Sequence, residues 1–480
     1  MVWRTQAVNA AKAARSAVTS AAVGRSAARM VARPAARTIS TTPSWKMSAA
    51  PTQTAVLERE DVVEGLYSPE VVAQSDPYMV ATYSRPAPVF ERGAGSYLWD
   101  LEGKKYLDLT AGIAVNGLGH CDPEITRVIA DQAGTLMHAS NLYHNIWTGT
   151  LSKQLVEETT KSGGFAHDPI KAVFIANSGS EANEAAIKFA RKVGKVRDPS
   201  GNQTEVVSFS GAFHGRTMGS LSATHNPKYQ KPFSPMVPGF RCGTFNDADP
   251  AVLEALVTPK TCAVIVEPIQ GEGGVNVGTE EFMVALARRC REVGAVLIHD
   301  EIQCGLARTG GTLWAHAHLP KEAHPDIVTT AKALGNGFPI GATLVSGAVA
   351  DAIKLGDHGT TFGGNPLASR VAYHVLARLA DPALQSDVVA KGAVFVRGLQ
   401  QLREKYPEII TEIRGRGLIL GAQLTVDPNP IIAAARELGL LVISCGTNTL
   451  RFVPPLNISE AEIQEGLGLL DQAIADSQKK

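Results

Sequence analysis

The sequence predicts an α/β protein, with a large domain built on a mostly parallel sheet covered by helices on both faces and a smaller α+β domain beside it. Three observations carry this. From about residue 170, continuous apolar runs alternate with helix-period stretches, the pattern of strands buried on both faces. After about residue 380 the helices lengthen and only short strands intervene. The chain is 480 residues long, enough for two or three domains at about 150 residues each.

Residues 43–75 have little periodicity. Asp76 to Leu109 reads as hairpins: Ala87-Pro-Val-Phe90, a glycine-containing turn, Tyr97-Leu-Trp99, turn residues Asp100 and Gly103, then Tyr106-Leu-Asp-Leu109. Ala172 to Ala176 is a buried strand, and Glu181 to Val193 the helix after it, with Ala182, Ala185, Ala186, Phe189, Ala190 and Val193 on one stripe. Further strands are expected at 205–209, 262–266, 295–298, 326–329 and 342–345, with helices near 279–293 and 366–379. Short strands follow near Ile419 and at Arg451-Phe-Val453. The domain reading is a leader over 1–39, a segment 40–115 contributing to the small domain, a large domain over 116–367 and the C-terminal small domain over 368–480.

Lys+Arg and Asp+Glu are both 46, so the formal net charge is zero, which argues against a globally basic nucleic-acid binder. No apolar run approaches the roughly 18 residues of a spanning helix. The balance hides an asymmetry. Residues 1–39 hold Arg4, Lys12, Arg15, Arg25, Arg29, Arg33 and Arg37, and the first acid of the chain is Glu58. A basic, acid-free, Ser-containing head of this kind reads as a mitochondrial transit peptide, cleaved near Ser40 and addressing the protein to the matrix; a disordered basic tail is the plain alternative, and a chloroplast address has a similar composition. Cysteines 121, 242, 262, 290, 304 and 445 form no CxxC pair, so free thiols are expected rather than a disulfide framework.

Three segments carry the chemistry. Asn177-Ser-Gly-Ser-Glu-Ala-Asn183 joins a strand to a helix, and its free N–H groups with the Ser178 and Ser180 hydroxyls make an anion cradle, though an ordinary serine cap would look the same. Asp300 ends a strand, where parallel-sheet sites form. Its carboxylate could hold a protonated ring nitrogen or a metal, or cap the next helix. Lys332, flanked by Ala331 and Ala333, is either a desolvated carbonyl nucleophile or a snorkelling structural lysine. Phosphate cradle, carboxylate and lysine on successive strand ends together fit pyridoxal phosphate. His120, His138, His144 and His214 lack ligand spacing, and no metal site is expected.

From about 75 to 475 the sequence resembles the class III, ω-amino acid aminotransferases, and within them the mitochondrial acetylornithine branch. The resemblance rests on Gly112-Ile-Ala-Val-Asn116 with Leu118-Gly-His120, Asn177 to Lys188, Phe213-His-Gly-Arg-Thr217, Val266-Glu-Pro-Ile-Gln-Gly-Glu272, Asp300-Glu-Ile-Gln303, Lys332-Ala-Leu-Gly335, Thr360-Thr-Phe-Gly-Gly-Asn-Pro366 and Arg414-Gly-Arg-Gly417, in the family's order. It implies the aspartate-aminotransferase-like fold, with a seven-stranded type of sheet in the large domain. It also implies pyridoxal phosphate as cofactor, with Lys332 as the Schiff-base lysine, Asp300 on the ring nitrogen and Phe213 stacked on the ring. Gln303 falls near the ring hydroxyl and Ser178, Gly179 and Ser180 at the phosphate. Thr361 matches a phosphate contact from a neighbouring subunit, so a homodimer with shared sites is implied.

Arg216 would hold the distal carboxylate of the ω-substrate and Arg414 the α-carboxylate of glutamate or 2-oxoglutarate. Glu272 would pair with Arg414 when no α-carboxylate is present, and Asn141 is grouped with these substrate-binding residues. The reaction implied passes an amino group between N2-acetylornithine and 2-oxoglutarate, with N-acetylglutamate 5-semialdehyde and glutamate on the other side. Ornithine, 4-aminobutyrate and succinylornithine remain alternative donors. Ornithine is disfavoured because the ornithine aminotransferases tend to have, near the position of Ile113, a tyrosine that helps bind a charged α-amine, and Ile113 cannot hydrogen-bond an ammonium. A binding protein that keeps the fold without catalysis is a further alternative, opposed by the presence of Lys332, Asp300 and Phe213.

Overall fold

The computed structural model describes residues 67–479. The segment read as a transit peptide, with its boundary near Ser40, lies outside them. The principal sheet has seven strands in the order Ile170–Ala176, Gly341–Ser346, Ile327–Thr330, Val296–Asp300, Thr261–Val266, Glu205–Phe209 and Phe240–Gly243. Neighbours pair in parallel except Gly341–Ser346, which runs antiparallel to both of its partners.

Alternation along the strands explains how both faces are covered. Ala263 and Ile265 turn to one side with Val296 and Ile298, packing against Ala185, Ala186, Phe189, Ala190 and Val193 of helix Gly179–Arg197. Val264, Val266 and Leu297 turn to the other, against Phe282 and Leu286 of helix Glu280–Val293. The stripe expected on the first helix is buried throughout, and Asn183 joins it at 0% exposure.

Two expectations shift at their edges. The strand read from Ala87 begins only at Phe90, because Pro86 and Pro88 have no N–H to give to a ladder. The edge strand Phe240–Gly243 was not expected, being four residues long and carrying Arg241.

A second, antiparallel sheet has the order Ile410–Arg416, Ile419–Leu424, Thr449–Phe452 and Ile443–Cys445. A third joins the hairpin strands Phe90–Ala94, Tyr97–Asp100 and Lys105–Asp108 to Leu440–Leu441, with Leu107 opposite Leu440. An early segment thus hydrogen-bonds to a late one. Helices Pro366–Leu379, Pro382–Lys405 and Glu460–Ser477 supply the long C-terminal helices. No cysteine is paired among the described residues, and none of their helices is long and apolar enough to cross a membrane.

Candidate active site

The carboxyl ends of the parallel strands converge on a cavity of about 370 Å³. Ser178, Gly179, Ser180, Phe213, Asp300, Gln303 and Lys332 all line it, together with Val115, His214 and Glu267. Ser178 caps the helix Gly179–Arg197, its hydroxyl accepting from Glu181 N at 3.2 Å. The other first-turn N–H groups of a 19-residue helix are left as an anion site. Glycine is required there: a Cβ on Gly179 would stand 2.8 Å from Ile302 Cδ1, and one on Gly215 would clash with Ser180 Oγ.

Asp300 is 3% exposed and closely held. Its Oδ2 accepts from Asn183 Nδ2 at 2.7 Å and faces His214 Nδ1 at 2.8 Å, while Oδ1 accepts from Ile302 N at 3.1 Å. Asn183 is fixed in turn by the Thr329 hydroxyl at 2.7 Å. A buried carboxylate with this set of donors is held in one orientation. Glu267 lies beside it, accepting from Phe213 N at 2.9 Å and Gly271 N at 3.2 Å. Burial pushes the Glu267 carboxyl up to about 7, with His214 opposing and Asp300 adding to the rise.

Lys332 follows strand Ile327–Thr330 with φ at +33°, a left-handed backbone that a residue with a Cβ rarely adopts. Burial first, and the Arg451 charge second, lower its amine to about 8, with Asp300, Glu267 and Glu272 pulling the other way. An amine so tuned is neutral often enough near pH 8 to act as nucleophile and base.

The carboxylate clamps are arranged differently from expectation. The Glu272–Arg414 pair does not form. Arg414 donates to Gly274 O at 3.2 and 2.7 Å, to Gln423 Oε1 at 2.9 Å and to Thr449 Oγ1 at 3.1 Å, and it pairs with Glu412 at 2.7 Å. Its fork is taken up in bracing the second sheet against the Gly274 loop. Glu272 instead pairs with Arg451, Oε2 to Nη2 at 3.0 Å, and Arg451 Nη1 donates to Gln303 Oε1 at 3.1 Å. Arg451 is 2% exposed, on strand Thr449–Phe452. Arg216 is exposed, its guanidinium 4.0 Å above the Tyr229 ring and 5.5 Å from that of Phe213.

Asn141 and Thr361 do not line this cavity. Asn141 Nδ2 donates to Thr360 O at 3.1 Å and Gly363 O at 2.9 Å, so it holds the loop that carries Thr361. Thr361 lines an adjoining hollow with Glu184 and Phe362, and Asn177 lines both it and the cavity. Ile113 is 43% exposed and also stands apart from the cavity lining.

Residues 78–474 match the family described as Aminotransferase class-III. The chain belongs to the class-III aminotransferases. A relative from Neurospora crassa, "Acetylornithine aminotransferase, mitochondrial", is 66% identical over 417 residues, 87% of this chain and 89% of that protein. Among solved structures, the N-acetylornithine aminotransferase of Stenotrophomonas maltophilia K279a superposes with a TM-score of 0.71 at 37% identity, covering 84% of this chain and 98% of its own. An ornithine aminotransferase from Toxoplasma gondii, with partial occupancy of PLP at its active site, gives 0.80 at 32% identity, with 89% and 99% covered.

The class-III aminotransferase cavity fits pyridoxal phosphate on its own geometry. A cradle that a Cβ would fill is suited to a phosphate. The held carboxylate of Asp300 suits a protonated ring nitrogen, and the half-buried Phe213 side chain supplies a flat apolar wall. His214 Nε2 is buried without a partner, so this ring faces the cavity lining with one unused nitrogen.

Sequence reasoning missed Glu267, His214 and Arg451. Glu267 stands inside a motif already singled out, and His214 follows Phe213. An arginine between Leu450 and Phe452 on a strand that is otherwise buried was the available signal for Arg451. Among the described residues the metal-capable group is His299, Glu301 and His316. There Glu301 already accepts from Ala315 N at 2.6 Å, His316 N at 2.9 Å and His316 Nδ1 at 2.5 Å.

Proposed function

We infer that this aminotransferase interconverts N2-acetylornithine and 2-oxoglutarate with N-acetylglutamate 5-semialdehyde and glutamate, a step of arginine biosynthesis in the mitochondrial matrix. The observation that carries the reading is a lysine cavity served by two guanidinium groups of different kinds. One is exposed beside the lining residue Phe213 (Arg216), and one is buried, paired with Glu272 and donating to the lining residue Gln303 (Arg451); both stand next to the cavity rather than in its wall. Two substrates that present different ends to one site need such a pair. The choice of acetylornithine over ornithine rests on the Neurospora relative rather than on Ile113.

Pyridoxal phosphate, when bound, supplies an electron-withdrawing ring and a carbonyl carbon to which the amino group passes. Ser178, Gly179 and Ser180 bind its phosphate with backbone N–H and hydroxyl groups. Asp300, oriented by Asn183 and His214, keeps a proton on the ring nitrogen. Phe213 covers one ring face. Lys332 Nζ takes the proton from the substrate carbon and delivers it to the carbon that receives the amino group, a task suited to an amine whose pKa is lowered to about 8.

Arg216 binds the carboxylate of acetylornithine. During that half-reaction Glu272 neutralises Arg451, whose free charge would attract the wrong end of the donor. The α-carboxylate of glutamate or 2-oxoglutarate then displaces Glu272 and takes the Arg451 fork bidentately. A donor panel tests the substrate: acetylornithine is expected to outrun ornithine, succinylornithine and 4-aminobutyrate with 2-oxoglutarate as acceptor. Faster turnover of ornithine would overturn the assignment.

The working unit in this proposal is a homodimer, with Thr361 reaching the phosphate site of the partner subunit. Support comes from the exposure of Thr361 on a loop beside Phe362 at 62%, and from the apolar side chains Leu142 at 85%, Tyr143 at 72% and Ile146 at 77%. Apolar groups this exposed mark an association surface. Sedimentation velocity is expected to return twice the chain mass; a fully active monomer would refute it.

A further inference from the structure

Tyr229 belongs to none of the motifs read from the sequence, yet it stands between the two guanidinium groups. It sits on the short helix Pro227–Gln230, fastened at one end by the Asn226 side chain accepting from Lys228 N at 3.0 Å. At the other end Gln230 Nε2 donates to Leu221 O at 3.0 Å. Its half-buried ring meets Phe213 edge to face, centroids 6.2 Å apart at 84°. One face carries the Arg216 guanidinium at 4.0 Å. Its hydroxyl lies 3.5 Å from Glu272 Oε1, while the other oxygen of that carboxylate holds Arg451 at 3.0 Å. Arg216, Tyr229, Glu272 and Arg451 thus form one continuous row.

We propose that Tyr229 is a positioning residue for both substrates, its ring fixing Arg216 for the donor carboxylate and its hydroxyl receiving Glu272 when the acceptor displaces it from Arg451. The proposal rests on the two-clamp reading above. The physical case has two parts. An exposed arginine has many rotamers, and a flat electron-rich face beneath it selects those that lie over the ring. A carboxylate leaving a buried arginine loses its strongest hydrogen bonds, and a hydroxyl donor waiting on its far side offsets part of that loss. At 3.5 Å that hydrogen bond is long while Glu272 is paired. It shortens only if the carboxylate moves towards Tyr229, so the hydroxyl favours the released state over the paired one.

The two functions separate by substitution in the holoenzyme. Tyr229→Phe keeps the ring and removes the hydroxyl; Tyr229→Leu removes both. Each half-reaction is followed alone, through the absorbance of bound cofactor at varied acetylornithine or varied 2-oxoglutarate. For Tyr229→Phe, half-saturation by 2-oxoglutarate is expected to rise about five- to tenfold, the donor half-reaction moving less than about twofold. For Tyr229→Leu, half-saturation by acetylornithine should rise as well, by about fivefold, as the cation–π contact is lost. Limiting rates should change less than half-saturation in both, which general damage to the site would not produce. An unaltered cofactor band in each variant checks that the cavity is intact. Equal effects of Tyr229→Phe on the two halves, no effect on either, or a donor half no worse in Tyr229→Leu than in Tyr229→Phe would each overturn the proposal. If the parent enzyme prefers another donor, the substrate reading fails by itself, and the same pair of variants is read with that donor.

Discussion

Lys332→Ala is expected to abolish turnover while leaving the cofactor site formed. The cradle of Ser178, Gly179 and Ser180 and the carboxylate of Asp300 are built by other strand ends and do not depend on the lysine side chain. What disappears is the one amine lining the cavity among the described residues, and with it the group that the proposed mechanism uses both as nucleophile and to move the substrate proton. General acid–base catalysis alone is worth about 10² to 10⁴ in rate, so a loss on the order of 10³ or more is expected. Alanine also relieves none of the φ of +33° imposed on this position, so the backbone strain stays while its benefit is removed. Steady-state assay of the purified variant, with cofactor retention measured alongside, checks the result. Multiple turnover within tenfold of the parent would remove Lys332 from the mechanism.

The principal sheet was legible because its strands are buried on both faces, and continuous apolar runs such as Thr261–Val266 admit few other readings. Residues at the ends of those strands were legible for the same reason: Asp300 and Lys332 are where an apolar run stops in a chemically capable group. The direction of Gly341–Ser346 was not legible, since an apolar strand looks the same whichever way it runs. Asn141 carries a polar amide in a loop, which indicates proximity to a site but not whether it touches ligand or braces the loop at Thr360 and Gly363. The partner of Glu272 was not legible for a related reason. Arg414 sits in a conspicuous glycine-rich run, Arg414-Gly-Arg-Gly417, and the partner of a charged side chain on a sheet depends on which strands become neighbours. Ile419–Leu424 lies between the strands of Arg414 and Arg451, and only that order shows that Glu272 reaches the second arginine.

Exchanging the two arginines as clamp yields the sharpest contrast between variants. Arg451→Ala is expected to cripple the 2-oxoglutarate half-reaction, because the α-carboxylate loses a buried fork and Glu272 is left without its cation. Truncating one member of a buried charge pair costs about 2–5 kcal/mol, which at about 1.4 kcal/mol per decade is roughly 30- to 3,000-fold. The donor half-reaction should suffer less. In the proposed arrangement its own carboxylate is held by Arg216, and the remaining effect runs through Lys332, whose amine loses the lowering influence of Arg451 while Glu272 continues to raise it. The pH at which the freed amine sheds its proton therefore moves up, and the donor half-reaction should weaken most at low pH. Adding Glu272→Ala removes the opposing charge and should restore the donor half without restoring the acceptor half, since no fork returns. Arg414→Ala cuts contacts to Gly274, Gln423 and Thr449, so it should lower thermal stability and leave the ratio of the two half-reactions near that of the parent. Single-turnover absorbance with acetylornithine and with 2-oxoglutarate measures that ratio directly. If it collapses in Arg414→Ala and holds in Arg451→Ala, the clamp belongs to Arg414 and the Glu272–Arg451 pair is structural.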